Sequence, residues 1–247
     1  MAGHPQALTV AGSDSGGGAG VQADLKTFAM HGVYGASVIT ALTAQNSQGV
    51  RGIHAPEPSF AAMQLAAVLE DLSIGAAKTG MLFSKGIMAA VAPLLRDWGG
   101  PLVVDPVCVA ASGDALLQPD AVESLKRDIA PLAALFTPNR HEAELLAGMT
   151  IASHEDCFAA CRRLLELGPR AVLLKGGHFA DAIAVTDWLA LPGQEPIPLM
   201  QPRVDTGNVH GTGCSLSAAI TANLAKGLEL SAAVREAQDF LNLGLRA

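Results

Sequence analysis

A mostly parallel α/β sheet with helices on both faces, three layers in all, is the fold class this sequence predicts. Three observations predict it. Short apolar runs rich in Val, Leu and Ala alternate with longer segments of helical spacing, the pattern of strand–helix–strand units. The clearest run, Leu102-Val103-Val104, is apolar throughout and stops on Asp105, as a buried parallel strand does. Polar residues gather just after strands, at the carboxyl edge where open α/β sheets bind ligands. With 247 residues, 50% of them hydrophobic, and no linker-like stretch, one domain over 1–247 can bury a sizeable core.

Taken in order, residues 7–11 form a buried first strand ending in Gly12. A glycine-rich loop, 12–20, follows, and 21–30 shows helical spacing through Val21, Leu25 and Phe28, with Asp24 near the loop. Its glycines are not in a G-x-G-x-x-G register, and the chain has no Gly-Lys dipeptide, so neither a dinucleotide fingerprint nor a P-loop is present. Residues 34–44, rich in β-branched side chains, predict a second strand, and 50–54 a short one. Helical spacing recurs at 58–72 and 87–98, on either side of a brief strand at 76–81. After Asp105 comes a loop, 107–114, then a helical segment, 120–129, and a strand, 134–137, stopped by Pro138.

Asn139 and Glu142 have the spacing of a helix capping box, and the same spacing sets them side by side at a strand's carboxyl end. Position 145 is Leu, so this is no zinc-protease helix. A helix at 155–167 and a strand at 171–174 lead to Lys175-Gly176-Gly177-His178. Residues 182–191 alternate like an exposed strand and pair with 197–204 as a small β-hairpin. Helices at 212–226 and 231–245 close the chain.

The last helix pair is entered through Gly211-Thr212-Gly213-Cys214, two glycines around a threonine at a helix start. Free N–H groups and the positive end of the helix dipole make such a start an anion site, phosphate above all. The same field favours a thiolate at Cys214. An ordinary glycine-rich helix start fits these residues too. Asp105, Asn139 with Glu142, Lys175 and 211–214 each follow a strand and so converge on one edge. Together they are the parts of a nucleotide site: acids for Mg²⁺, a lysine for phosphate, and a helix start for the transferred group.

A net charge of −7, no Lys/Arg cluster and 4% aromatic residues argue against a nucleic-acid partner. No apolar run is long enough for a membrane span, and the first residues carry no signal-peptide pattern. The four cysteines are scattered, which suits a reducing cytoplasm. His154, Cys157 and Cys161 share a helix face, yet their apolar neighbours read as a packed helix rather than a metal site.

Several motifs occur in one order along the chain: Gln22-Ala23-Asp24-Leu25-Lys26-Thr27, Ile39-Thr40-Ala41-Leu42-Thr43-Ala44-Gln45-Asn46, Lys78-Thr79-Gly80-Met81, Val104-Asp105-Pro106-Val107, Lys175-Gly176-Gly177-His178 and His210-Gly211-Thr212-Gly213-Cys214. From residue 7 to about 241 the sequence resembles the hydroxymethylpyrimidine/phosphomethylpyrimidine kinases of thiamine biosynthesis, within the ribokinase superfamily. That resemblance implies a ribokinase-like fold, ATP and Mg²⁺ as cofactors, a homodimer, and two successive phosphorylations of 4-amino-5-hydroxymethyl-2-methylpyrimidine. It implies that Gln45 hydrogen-bonds the aminopyrimidine and that Gly12, Asp24, Met81 and Val107 line its pocket. Cys214 would be the general base, with Gly211, Thr212 and Gly213 completing the anion hole. Lys175, Asn139 and Thr206 would contact the nucleotide, and Asp105 and Glu142 the metal.

The chain departs from the family at Gly207, where Arg or Lys is usual, at Gln238 and Ala111, where Lys is common, and at Ser215, where Thr is usual. Two other functions fit much of the same pattern: a pyridoxal/pyridoxine kinase of the same superfamily, and a non-catalytic pyrimidine-binding regulator.

Overall fold

Alternating side chains on short apolar strands reach both faces of a central sheet, and each face is covered by helices. The computed structural model describes residues 3–46, 48–109, 116–177, 183–207 and 209–246. His178, Asn208, residue 182 and the 110–114 part of the expected loop lie outside them. Strands β1 (Gln6–Ala11), β2 (Tyr34–Ile39), β5 (Ala76–Thr79), β6 (Leu102–Val104), β7 (Leu135–Phe136) and β8 (Val172–Leu174) run parallel. Two antiparallel strands, β9 (Ala184–Ala190) and β10 (Ile197–Pro202), extend the sheet in the order β10-β9-β8-β7-β6-β5-β1-β2. The expected hairpin at 182–204 is therefore an arm of the main sheet, and Asp187–Ala190 are buried rather than exposed. A separate two-stranded sheet holds β3 (Leu42–Asn46) and β4 (Gly49–His54).

Pleating divides the core as period two requires. Leu8, Val10, Leu102, Val104, Phe136, Val172 and Leu174 face one layer, with α2 (Pro58–Asp71), α3 (Lys85–Trp98), α5 (Arg140–Ala147) and α6 (His154–Leu165). Ala7, Val103, Leu135, Leu173 and Leu189 face the other, with α1 (Gly20–Met30), α7 (Thr212–Ala225) and α8 (Leu230–Arg246). The buried run Leu216–Asn223 of α7 is mostly Ala, Ser and Thr, which lets this helix lie close against β1, β5 and β6. A larger side chain there would overpack at a cost of about 1–3 kcal/mol.

Two sequence expectations are corrected. The strand expected over 34–44 ends at Ile39: Thr40 donates its hydroxyl to Met81 O at 2.6 Å, and Ala41 O accepts the Ser13 N–H at 2.8 Å. These bonds draw the chain out of the main sheet and onto the β1 loop, so β3 pairs with β4 instead. The helix expected over 120–129 has only one α turn, α4 (Val122–Ser124), between a 3₁₀ turn and a π turn, Leu125–Ile129. Pro131, lacking an N–H and crowding the carbonyl of residue 127, explains the widened turn.

Candidate active site

The chain leaves β1 towards β2 on one side and returns at β5 on the other, so the connections diverge at the carboxyl ends of β1 and β5. Ligands bind in such a crevice. A cavity of about 910 Å³ opens there and runs from Gln45 on β3 to Asn242 and Leu245 on α8. The residues that the family resemblance assigned to the pyrimidine, the nucleotide, the metal and the base all border it or its floor.

The end nearest β1 is built from backbone and apolar side chains. Ser15 donates to Gln45 O at 2.7 Å and accepts the Gln45 N–H at 2.9 Å, pinning β3 to the glycine-rich loop. Gln45 thus stands half-buried at the cavity edge, beside an apolar wall of Ala41, Met81, Leu116 and Val107. Asp24 lies at the floor of this space. It is fully buried beneath it, with one oxygen 2.8 Å from Lys78 Nζ and the other accepting Thr9 Oγ1 at 2.6 Å. Burial works against the Lys78 ammonium, but Asp24 prevails and holds it protonated.

The far side is charged. Lys175, directly after β8, lies 2.9 Å from Asp105, directly after β6, and Ser217 of α7 donates to the other Asp105 oxygen at 3.2 Å. Burial would raise the Asp105 carboxyl; Lys175 and Lys78 outweigh it and hold the group below its usual range. Asn139 and Glu142 form the expected capping box, Asn139 Oδ1 accepting Glu142 N–H at 2.9 Å and Glu142 Oε2 accepting Asn139 N–H at 2.8 Å. Glu142 is 5% exposed. Burial, more than Lys175 can offset and with Asp105 adding to it, pushes its carboxyl up to about 7. A buried acid short of positive charge, on a cavity wall, fits a divalent cation. Asp105 fits less well as a direct ligand, because Lys175 and Ser217 already hold its oxygens. Among the described residues no three His, Cys, Asp or Glu side chains form a metal-holding group. Cys157 and Cys161 are core thiols that burial pushes up to about 11 and about 12.

Gly211 caps α7 with φ of 79°, and a Cβ on it would collide with Gly18 O. Only glycine lets the two loops touch there. Behind it His210 Nε2 lies 2.9 Å from Asp14 Oδ2, and Asp14 also accepts the N–H groups of Gly16, Gly18 and Ala19. One carboxylate therefore organises both loops. Burial would raise Asp14, but the His210, Gly16 and Ala19 bonds hold it below its usual value. The sequence reading missed this clasp; an Asp ahead of three glycines was its one local sign. Cys214 occupies the third position of α7. Burial pushes its thiol up to about 11; Lys78 and the Gly20 N–H pull it down, while Asp24 and Asp105 add to the rise. The helix field expected to favour a thiolate is thus opposed by burial and, behind it, by two carboxylates.

The model of the family described as phosphomethylpyrimidine kinase matches residues 14–247. The chain belongs to that family. It is 50% identical over 242 residues to a hydroxymethylpyrimidine/phosphomethylpyrimidine kinase of Rhizobium meliloti (strain 1021), covering 98% of this chain and 90% of that one. A phosphomethylpyrimidine kinase from Clostridium difficile 630 superposes with a TM-score of 0.85 at 40% identity, covering 97% of this chain and 99% of that one. The pyridoxal kinase of Staphylococcus aureus, solved with AMP-PCP and pyridoxal, reaches 0.87 at only 31% identity, covering 97% and 87%. Backbone shape is shared by both kinds of kinase, and sequence identity separates them. The molecule is a ribokinase-like phosphotransferase.

Proposed function

We propose that this kinase transfers the γ-phosphoryl group of ATP to the hydroxymethyl oxygen of 4-amino-5-hydroxymethyl-2-methylpyrimidine, then a second one to the monophosphate, giving the diphosphate. The observation that carries this reading is one cavity with an amide and apolar wall at one end, a lysine and acids at the other, and a helix start between them. The Gln45 carboxamide can donate and accept at an aminopyrimidine edge, with Gly12, Met81 and Val107 against the ring and Asp24 bracing the floor. Gly211, Gly213 and Cys214 would turn their N–H groups to the moving phosphoryl, where preorganised donors act most strongly, and Thr212, whose N–H is bonded to Val209 O, would hold the turn that presents them. Lys175, Asn139 and Thr206 hold the nucleotide. Glu142 would hold Mg²⁺, with Asp105 beside it, and the ion would supply neutralisation of the phosphate charge.

Cys214 takes the proton of the substrate hydroxyl in the first transfer. In the second the nucleophile is already an anionic phosphate and needs no base. The working unit is a homodimer in the cytoplasm; no helix of the described residues is long and apolar enough to cross a membrane.

Protein, magnesium-ATP and the hydroxymethylpyrimidine, followed by mass spectrometry, should give the monophosphate first and the diphosphate later. A parallel reaction with pyridoxal should be slower. Faster turnover of pyridoxal would favour the rival kinase, and no product at high enzyme would favour the non-catalytic regulator.

A further inference from the structure

Asp187 lies within β9 and is 8% exposed, yet it borders the cavity. Its Oδ1 accepts the Gly176 N–H at 2.7 Å, and its Oδ2 accepts Gln238 Nε2, from α8, at 2.7 Å. Gly176 is the residue after Lys175. Its Cα is pressed so closely on β9 that a Cβ would collide with Thr186 O. Lys175 itself donates its N–H to Pro138 O at 2.9 Å. The peptide that follows Lys175 is therefore gripped on one side by β9, on whose grip α8 acts through Gln238.

We infer that Asp187, braced by Gln238, is a positioning residue for the nucleotide: by fixing the Gly176 N–H it aims Lys175 at the phosphates. The inference rests on the reading of Lys175 as a phosphate contact. Lys175 is paired with Asp105 at 2.9 Å at the cavity wall, so a backbone free to drift after Lys175 would carry the ammonium away from the one place where it reaches both that carboxylate and the cavity. A carboxylate suits the task because its two oxygens accept two donors from two elements at once. Gln238 suits it because a neutral amide steadies Asp187 without adding a cation to compete with Lys175 for the phosphates.

Calorimetric titration of the full chain with magnesium-AMP-PCP, and separately with the pyrimidine, tests this without relying on turnover. Asp187→Ala should weaken nucleotide binding about ten-fold, the effect of one lost positioning bond, and leave pyrimidine binding unchanged. Asp187→Asn keeps an acceptor for Gly176, and the Gln238 amide can rotate to accept from the new NH₂, so binding should return to within about two-fold of the parent. Gln238→Leu should fall between them, at about three-fold, and serves if Asp187→Ala does not fold. An Asp187→Asn protein as weak as Asp187→Ala would overturn the inference, because the charge and not the relay would then matter. So would equal losses for both ligands, or no loss in any variant. A parent that binds AMP-PCP but makes no product would instead count against the proposed function.

Discussion

Two buried Lys–Asp pairs stand near one another in this molecule and do different work. Lys78–Asp24 joins β5 to α1 with both side chains at 0% exposure, while Lys175–Asp105 joins the ends of β8 and β6 with the lysine 14% exposed. Their separations are nearly equal, 2.8 and 2.9 Å, so distance does not tell them apart. Access does. The sealed pair lies in the cavity floor with its remaining acceptor filled by Thr9, whereas the open lysine keeps some exposure and is shared with Glu142. Chemistry that needs a movable charge belongs to the open pair, and the sealed pair keeps the floor in place.

Breaking the sealed pair should give the largest effect. Lys78→Met leaves Asp24 as a buried uncompensated charge, which costs about 3–5 kcal/mol. The denaturant midpoint should fall accordingly, and the double variant Lys78→Met/Asp24→Leu should recover most of it. A single variant as stable as the parent would mean that Asp24 takes up a proton or that water reaches it. Lys175→Met, in contrast, should fold normally and lose about 10³-fold in kcat/KM, as expected for a missing charge-stabilising donor. A stability loss as large as that of Lys78→Met would erase the distinction between the pairs.

Cys214 lies under the influence of both pairs, and its behaviour sharpens the contrast. With the thiol pushed up to about 11, the thiolate is scarce at neutral pH. If Cys214 is the base, the first phosphorylation should rise about ten-fold per pH unit below that value, while the second stays flat. Cys214→Ser should slow the first step about 100-fold, the low end for a general base, and the second much less. Equal losses in the two steps would remove Cys214 from proton transfer.

Much of this was legible in the sequence because the strands β6 and β8 are apolar on both faces and their polar successors, Asp105 and Lys175, need no other signal. The break at Thr40 was not legible. Val38, Ile39, Thr40 and Thr43 all favour a strand, and what ends it is a bond to Met81, 41 residues away. Asp187 was hidden in the alternation of β9, where a polar residue reads as solvent-facing until α8 covers it. The Asp14–His210 clasp spans 196 residues. The pressures against a Cys214 thiolate were not legible either, because burial, Asp24 and Asp105 reach it only through the fold.

The smallest expected effect lies with Glu142, which shares Lys175 with Asp105, whereas Asp24 is bonded directly to Lys78. Its folded carboxyl is raised from the usual 4.5 to about 7, so the native state binds that proton more tightly than the unfolded chain does. The stability this contributes is fully present below pH 4.5 and is lost as pH rises towards about 7. Asp105, held below its usual 3.8, contributes in the opposite sense, but its window lies beneath that of Glu142. Between pH 4.5 and about 7 the metal-free protein should therefore carry a declining component, at most ~1.4 kcal/mol per pH unit for one proton. Glu142→Gln, which keeps the acceptor for the Asn139 N–H, should remove that component in denaturant titrations across the same window. Parallel pH profiles for variant and parent would show Glu142 to be ionised throughout, with Lys175 serving two acids as fully as Lys78 serves one.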